Sequence, residues 1–235
     1  MKKVLRIISL IAVIGVIIAA IVASLNQKVP NADYVWDQAT TLGNLEGDNY
    51  FVVYSDIACP YCVAYENAIL EHEEEFKKYL EDHDILFEVR VSEFLYRYGE
   101  VQPIASHYGA EAIYCAKNVG HFWDYYNTAI TYTWNNYFKL YGKSAFPELN
   151  KLTKADWIKL GTDIGLGEDF ANCVQNGDTD EEILANTKKT FEVYHVNGLP
   201  YYKFNKYIPS NGGGFAMNGT WEDVVAGFEI GLTKR

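Results

Sequence analysis

The chain has 235 residues, 49% of them hydrophobic and 22% charged, a balance that excludes a disordered polymer and suits a globular protein. The formal net charge is −11; a body this acidic repels phosphate backbones and anionic lipid, which argues against nucleic acid as a partner. The 19 Tyr, 12 Phe and 5 Trp supply bulk for a sizeable core.

Lys2, Lys3 and Arg6 precede an uncharged, mostly aliphatic run from Ile7 to Leu25. That run is long enough to cross a bilayer as one helix. Positive charge ahead of it places the N-terminus in the cytoplasm and the body outside. Residues 1–25 are therefore expected to be an uncleaved transmembrane signal anchor of a single-pass cell-membrane protein. A cleaved signal peptide is the alternative, although the run is long for one and its cleavage pattern poor. Either reading exports the remainder.

Residues 26–48, with Pro30, Asn31 and Gly43, read as a linker and lead-in segment. Asn49 to Tyr54 is aromatic and β-branched, as a buried strand is. Ser55, Asp56 and Ile57 lead into Cys59-Pro60-Tyr61-Cys62. Pro60 suits the first turn of a helix. Apolar positions at Val63, Ala64, Ala68, Ile69, Phe76 and Leu80 predict one amphipathic helix through to Leu80. Ile85 to Val91 reads as a second strand. Helices are then expected over 105–116, 123–137, 154–161, 170–175 and 181–194, with Thr153 and Asp156 as a capping pair for the third. Strand signals return at Tyr201–Phe204 and Phe215–Met217, the latter after a flexible Gly212–Gly214 connection. Thr220 caps a last helix, Trp221 to Leu232, with Glu222 and Asp223 in its first turn. The order predicts an α/β fold with a mixed sheet: residues 49–96 and 191–235 as two halves of one domain, and 97–190 as a helical insertion.

Cys59 and Cys62 stand one helical turn apart at a strand-to-helix junction. There the free N–H groups and the helix dipole stabilise a thiolate on the first sulfur. A stabilised thiolate is a good leaving group, so its disulfide is oxidising. Cys59 is assigned as nucleophile and Cys62 as resolving thiol. A zinc site wants a second close pair of Cys or His, and Cys115 and Cys173 are isolated from each other, so no metal is expected. Asp56 is either a partly buried acid that accepts protons near Cys62 or an exposed loop residue.

The segment Phe51-Val-Val-Tyr-Ser-Asp-Ile-Ala-Cys-Pro-Tyr-Cys62 resembles the active-site segment of the DsbA-like thiol-disulfide oxidoreductases, members of the thioredoxin superfamily. Cys115 to Tyr126 resembles that family's helical segment, and Phe170 to Gly177 with Val196-Asn-Gly-Leu-Pro-Tyr-Tyr202 resembles the approach to its cis-proline loop. The resemblance covers most of residues 49–232. It implies a thioredoxin-like fold with an inserted helical domain. It also implies that Pro200 is the cis-proline facing the cysteines, with the Leu199 backbone exposed to pair with an extended substrate segment. An ordinary trans loop proline is the bland alternative. Leu199 departs from the Thr or Val usual before that proline, which leaves the direction of the redox reaction open. Pro60 and Tyr61 would border the substrate; the Pro-Tyr pair does not select oxidase over isomerase or reductase.

The resemblance further implies a redox-active disulfide with no other cofactor, exported polypeptides with thiols as substrates, and a membrane quinone-linked partner that reoxidises the pair. Some relatives carry a second, structural disulfide in the helical domain; Cys115 and Cys173 either form one, contributing roughly 4–5 kcal/mol, or stay reduced as small apolar residues. Isomerases of this type dimerise through an added N-terminal domain, for which residues 26–48 leave no room, so a monomeric oxidase is expected. A tethered chaperone-like peptide-binding module is the reading from another class. The histidines, among them His72, His83, His107, His121 and His195, show no ligand spacing. Glu71–Glu75 reads as a solvated helix face, and the aromatic run from Trp123 to Phe138 as helical core.

Overall fold

A computed structural model describes residues 35–205 and 219–233. The expected anchor, the Gly212–Gly214 connection and the strand Phe215–Met217 lie outside them. Among the described residues no helix is long and apolar enough to cross a membrane.

Four strands form one sheet among the described residues: β1 (Thr41–Gly43), β2 (Asn49–Ser55), β3 (Ile85–Val91) and β4 (Tyr201–Phe204), in the order β1-β3-β2-β4. β2 runs parallel to β3 from Asn49↔Ile85 to Ser55↔Val91. β4 lies antiparallel on the other side of β2, with Tyr201 opposite Tyr54. β1 pairs antiparallel with β3. This edge strand was not expected; three residues of a polar lead-in carry too short a pattern to reveal one.

Every residue of β2 and β3 is buried, because both sheet faces are covered. Phe51, Val53, Phe87 and Val89 face the main core with Tyr65, Phe76 and Phe228. Tyr50, Val52, Tyr54 and Leu86 face a smaller cluster with Val196 and Tyr201. That second face also buries a charge pair. Arg90 Nη2 lies 2.8 Å from Glu88 Oε2, with both side chains almost wholly inaccessible. Arg90 also donates to the hydroxyls of Tyr50 and Tyr54 and stacks against the Trp36 ring, 4.7 Å from its centroid. A buried pair stripped of one member costs several kcal/mol, so these five residues hold that face as a unit.

The helix expected from Pro60 to Leu80 is two: α1 (Pro60–Glu71) and α2 (Glu73–Asp82). His72 breaks them with non-helical angles, φ −125° and ψ 36°. Its ring stacks on Trp221, 5.3 Å between centroids, so a distant contact sets the break. Helices α3 (Phe94–Tyr98), α4 (Ile104–Asn118), α5 (Phe122–Thr133), α6 (Lys154–Asp163), α7 (Glu168–Asn176) and α8 (Asp180–Lys188) follow β3. α5 and α8 each run on into a π-helical turn, Trp134–Phe138 and Lys189–Val193. The Asp156 carboxylate accepts the Thr153 N–H at 2.8 Å and opens α6. α9 (Trp221–Thr233) ends the described chain and puts Phe228 against Phe51, 4.2 Å between ring centroids. Strand, helix, strand, a helical block, then strand and helix make a thioredoxin-like α/β architecture.

Candidate active site

Parallel β2 and β3 end on the same edge of the sheet, and β4 starts there. The chain leaving β2 turns at Asp56, whose carbonyl accepts the Cys59 N–H at 2.9 Å. Cys59 then caps α1 with an extended backbone, and Pro60 takes the first helical position, where a missing N–H costs nothing. The Cys62 N–H donates to Cys59 Sγ at 3.3 Å. Cys59 is 4% exposed and Cys62 is fully buried; both are free thiols. The first sulfur thus receives one N–H donor of the helix start, while the second is wholly buried. Burial, with the Cys59 sulfur against it, pushes the Cys62 thiol well above the ordinary range. A Cys62 thiolate formed here is a strong base that must find a proton or a new bond.

Pro60 and Tyr61 are half-exposed. Lys143 reaches across from the helical block to 4.8 Å from the Tyr61 ring centroid. The Leu199–Pro200 bond is cis. Pro200 is buried one residue before the Tyr201↔Tyr54 pairing, and Leu199 is half-buried. This brings Leu199 and Pro200 to the sheet edge from which the cysteine loop emerges. Tyr202, next in β4, packs its ring at a tilt against Tyr65 of α1, 4.7 Å between centroids. Cys115 and Cys173 are joined by a disulfide, S–S 2.04 Å, between α4 and α7. They are therefore not ligands for a four-cysteine zinc site.

Asp56 is not an exposed loop residue: it is fully buried. Oδ1 accepts the Ala58 N–H at 2.8 Å; Oδ2 accepts the Leu95 N–H at 2.8 Å and the Ser106 hydroxyl at 2.7 Å. Burial pushes its carboxyl up to about 6 against the pull of those donors. With both oxygens engaged, it ties the cysteine loop to the chain beyond β3 and to α4.

Glu66 is the residue that sequence reasoning missed. It lies one turn beyond Cys62 on α1 and is 4% exposed. Burial pushes its carboxyl up to about 7, opposed by the neighbouring Tyr126 and Ser55 hydroxyls. Neither carboxyl oxygen has a well-aligned hydrogen bond. A groove lined by Leu70, Phe76, Phe87 and Trp123 reaches it from outside. A carboxyl near neutrality beside a buried thiol can carry a proton to or from it. The signal was present: Cys62, Glu66 and Ile69 recur at helical spacing on one face.

The thioredoxin family model matches residues 37–211, most of the chain. No curated protein matches the sequence. Among solved structures the fold is similar to that of BdbD from Bacillus subtilis, with TM-score 0.57 and 13% identity over 83% of this chain and 92% of that one. It is also similar to α-DsbA1 from Wolbachia pipientis, with TM-score 0.54 and 14% identity over 88% and 99% of the two chains. MdbA, a thiol-disulfide oxidoreductase from Corynebacterium matruchotii, aligns with TM-score 0.51 and 17% identity over 79% and 86%.

Proposed function

This chain belongs to the thioredoxin family, and from that premise we propose that it is an extracytoplasmic thiol-disulfide oxidoreductase that introduces disulfides into exported proteins. The observation that carries the reading is the cysteine pair itself: Cys59 at the helix N-cap, its sulfur accepting the Cys62 N–H at 3.3 Å, over a fully buried Cys62. The basic cluster and apolar run of residues 2–25 support a membrane tether with the catalytic body outside.

In the oxidised enzyme a substrate thiolate attacks Cys59 Sγ. The Cys59–Cys62 bond breaks, a mixed disulfide forms at Cys59, and Cys62 leaves with the electron pair. A proton from Glu66 neutralises the Cys62 sulfur, which burial makes a poor anion. The substrate's second thiolate then attacks its own sulfur in the mixed disulfide and releases Cys59 as a thiolate, favoured by the helix N-terminus. Leu199, half-buried and just before the cis-proline, would offer its backbone to an extended substrate segment added as a strand. The product is an oxidised substrate and a reduced Cys59/Cys62 pair, which a quinone-linked membrane partner reoxidises. The working unit is a monomer.

Equilibrium of a fragment lacking residues 1–25 with glutathione tests this. A reduction potential near −120 mV, that of a strong oxidant, supports disulfide donation. A value near −270 mV, that of thioredoxin, makes the chain a reductase instead. Absence of any reversible couple leaves the peptide-binding module. In addition, C62S should accumulate a mixed disulfide at Cys59 when given a disulfide-bonded substrate, the Cys59 thiolate attacking one sulfur and expelling the other as a thiolate, and C59S should not.

A further inference from the structure

A second cluster of ligand-type side chains lies away from the cysteines. α4 carries His107 and Glu111 one turn apart on one face, and Asp180 opens α8 against them. One ligand atom from each lies within 4.8 Å of the other two. His107 Nε2 is 3.8 Å from Asp180 Oδ1, too far for a hydrogen bond. Two ligands on a tetrahedral zinc ion, each about 2.1 Å from it, stand about 3.4 Å apart. Side-chain adjustment of under about 1.5 Å therefore closes all three onto one ion.

Two further observations point the same way. The Glu111 side chain is wholly buried; its Oε1 takes the Lys154 ammonium at 2.7 Å, while Oε2 has no hydrogen-bond partner. Asp180 Oδ1 also has none. A buried carboxylate oxygen without a partner is costly, and a cation in the gap would satisfy both. Glu93, itself wholly buried, holds His107 Nδ1 at 2.6 Å. That contact aims Nε2 at the two carboxylates, the carboxylate–histidine support that orients metal-binding imidazoles. Glu93 is held in turn by Arg97 at 2.6 Å, and its own N–H donates to the Thr187 hydroxyl at 3.2 Å.

We propose that His107, Glu111 and Asp180 form a structural site for a divalent transition cation of the zinc class, independent of Cys59 and Cys62. One imidazole nitrogen and two carboxylate oxygens suit a borderline ion that takes four ligands, with water as the fourth. Calcium and magnesium want six or more oxygens. The ion would clasp α4 to the start of α8. It would sit one turn before Cys115 on α4 and just beyond the turn that follows Cys173, so that metal and disulfide fasten the same two parts of the helical block.

The test uses the full-length, untagged chain in detergent with Cys59 and Cys62 oxidised, so that thiols cannot ligate. After chelator treatment it is titrated with zinc and, separately, with cobalt. The site predicts one equivalent bound per chain, a rise in Tm on loading, and the visible absorption of tetrahedral cobalt. H107Q, E111Q and D180N should each weaken binding at least tenfold, and E93Q about tenfold through the ring orientation. D180N changes a half-exposed side chain and keeps the test valid if a buried substitution fails to fold. No saturable binding would overturn the proposal and leave the cluster as a set of polar contacts between α4 and α8. Binding unchanged in D180N and H107Q would place the metal elsewhere and overturn it equally.

Discussion

Glu66 joins stability to chemistry through one carboxyl group. Its folded-state value of about 7 stands above the ordinary 4.5, so the folded chain holds that proton more tightly than the unfolded one. The resulting stabilisation is fully present below about pH 4 and is lost as pH rises through 7. E66Q, which needs no proton, should escape that loss. Urea unfolding of the oxidised protein is expected to find E66Q and the parent similar at pH 4, and E66Q more stable by about 3 kcal/mol at pH 8. Parallel pH curves would show that Glu66 is not buried as a proton carrier. Asp56 behaves differently although it too is raised, because three donors converge on it. D56N would turn an amide toward the Leu95 N–H or the Ala58 N–H and leave a buried donor facing a donor. A loss of about 3 kcal/mol at pH 7 is expected in the same assay; an unchanged midpoint would mean that the loop holds its place without the carboxylate.

Elements with a local signal were legible and those set by distant contacts were not. β2, β3 and β4 begin and end within a residue of the expected positions, because dense β-branched and aromatic runs are bounded by polar residues. The cysteine motif and the Thr153–Asp156 cap are local too. His72 looks like any solvated helix residue until Trp221, far along the chain, stacks on it. Asp56 is buried by Leu95 and Ser106, partners 39 and 50 residues away. Glu66 was passed over because acids between apolar positions normally mark the wet face, and here the face is covered by Tyr126 of α5. The pairing of Cys115 with Cys173 was open in the sequence, and α4 and α7 bring their Cα atoms to 5.8 Å. The bridge spans 58 residues; in the chain-entropy model its removal costs about 4 kcal/mol. The C115S/C173S double variant should unfold at lower denaturant with a somewhat steeper slope, because its unfolded chain is less constrained, whereas loss of the cooperative transition would show that the helical block cannot form without it.

At the scale of the whole molecule, charge and the site's surface pull in complementary ways. The chain carries 31 acidic against 20 basic residues, and its field favours approach of cationic polypeptides from a distance. Next to Cys59 along the chain the residues are uncharged, Ile57, Ala58, Pro60 and Tyr61, with Lys143 over the Tyr61 ring. Just before Lys143, Leu140 and Tyr141 are 63% and 52% exposed, offering apolar surface to a chain that has not yet folded. Long-range attraction should therefore govern encounter, and backbone and apolar contacts the reaction. Two reduced dithiol peptides matched except for net charge separate these effects. Under low salt the cationic peptide should be oxidised with about tenfold higher kcat/KM, with the advantage lying in the association rate. Raising ionic strength to 0.5 M shortens the screening length to about 4 Å and should bring the two rates together. A persistent preference at high salt would instead place a specific acidic contact at the site, and equal rates at low salt would mean that the acidic body is too far from the cysteines to steer.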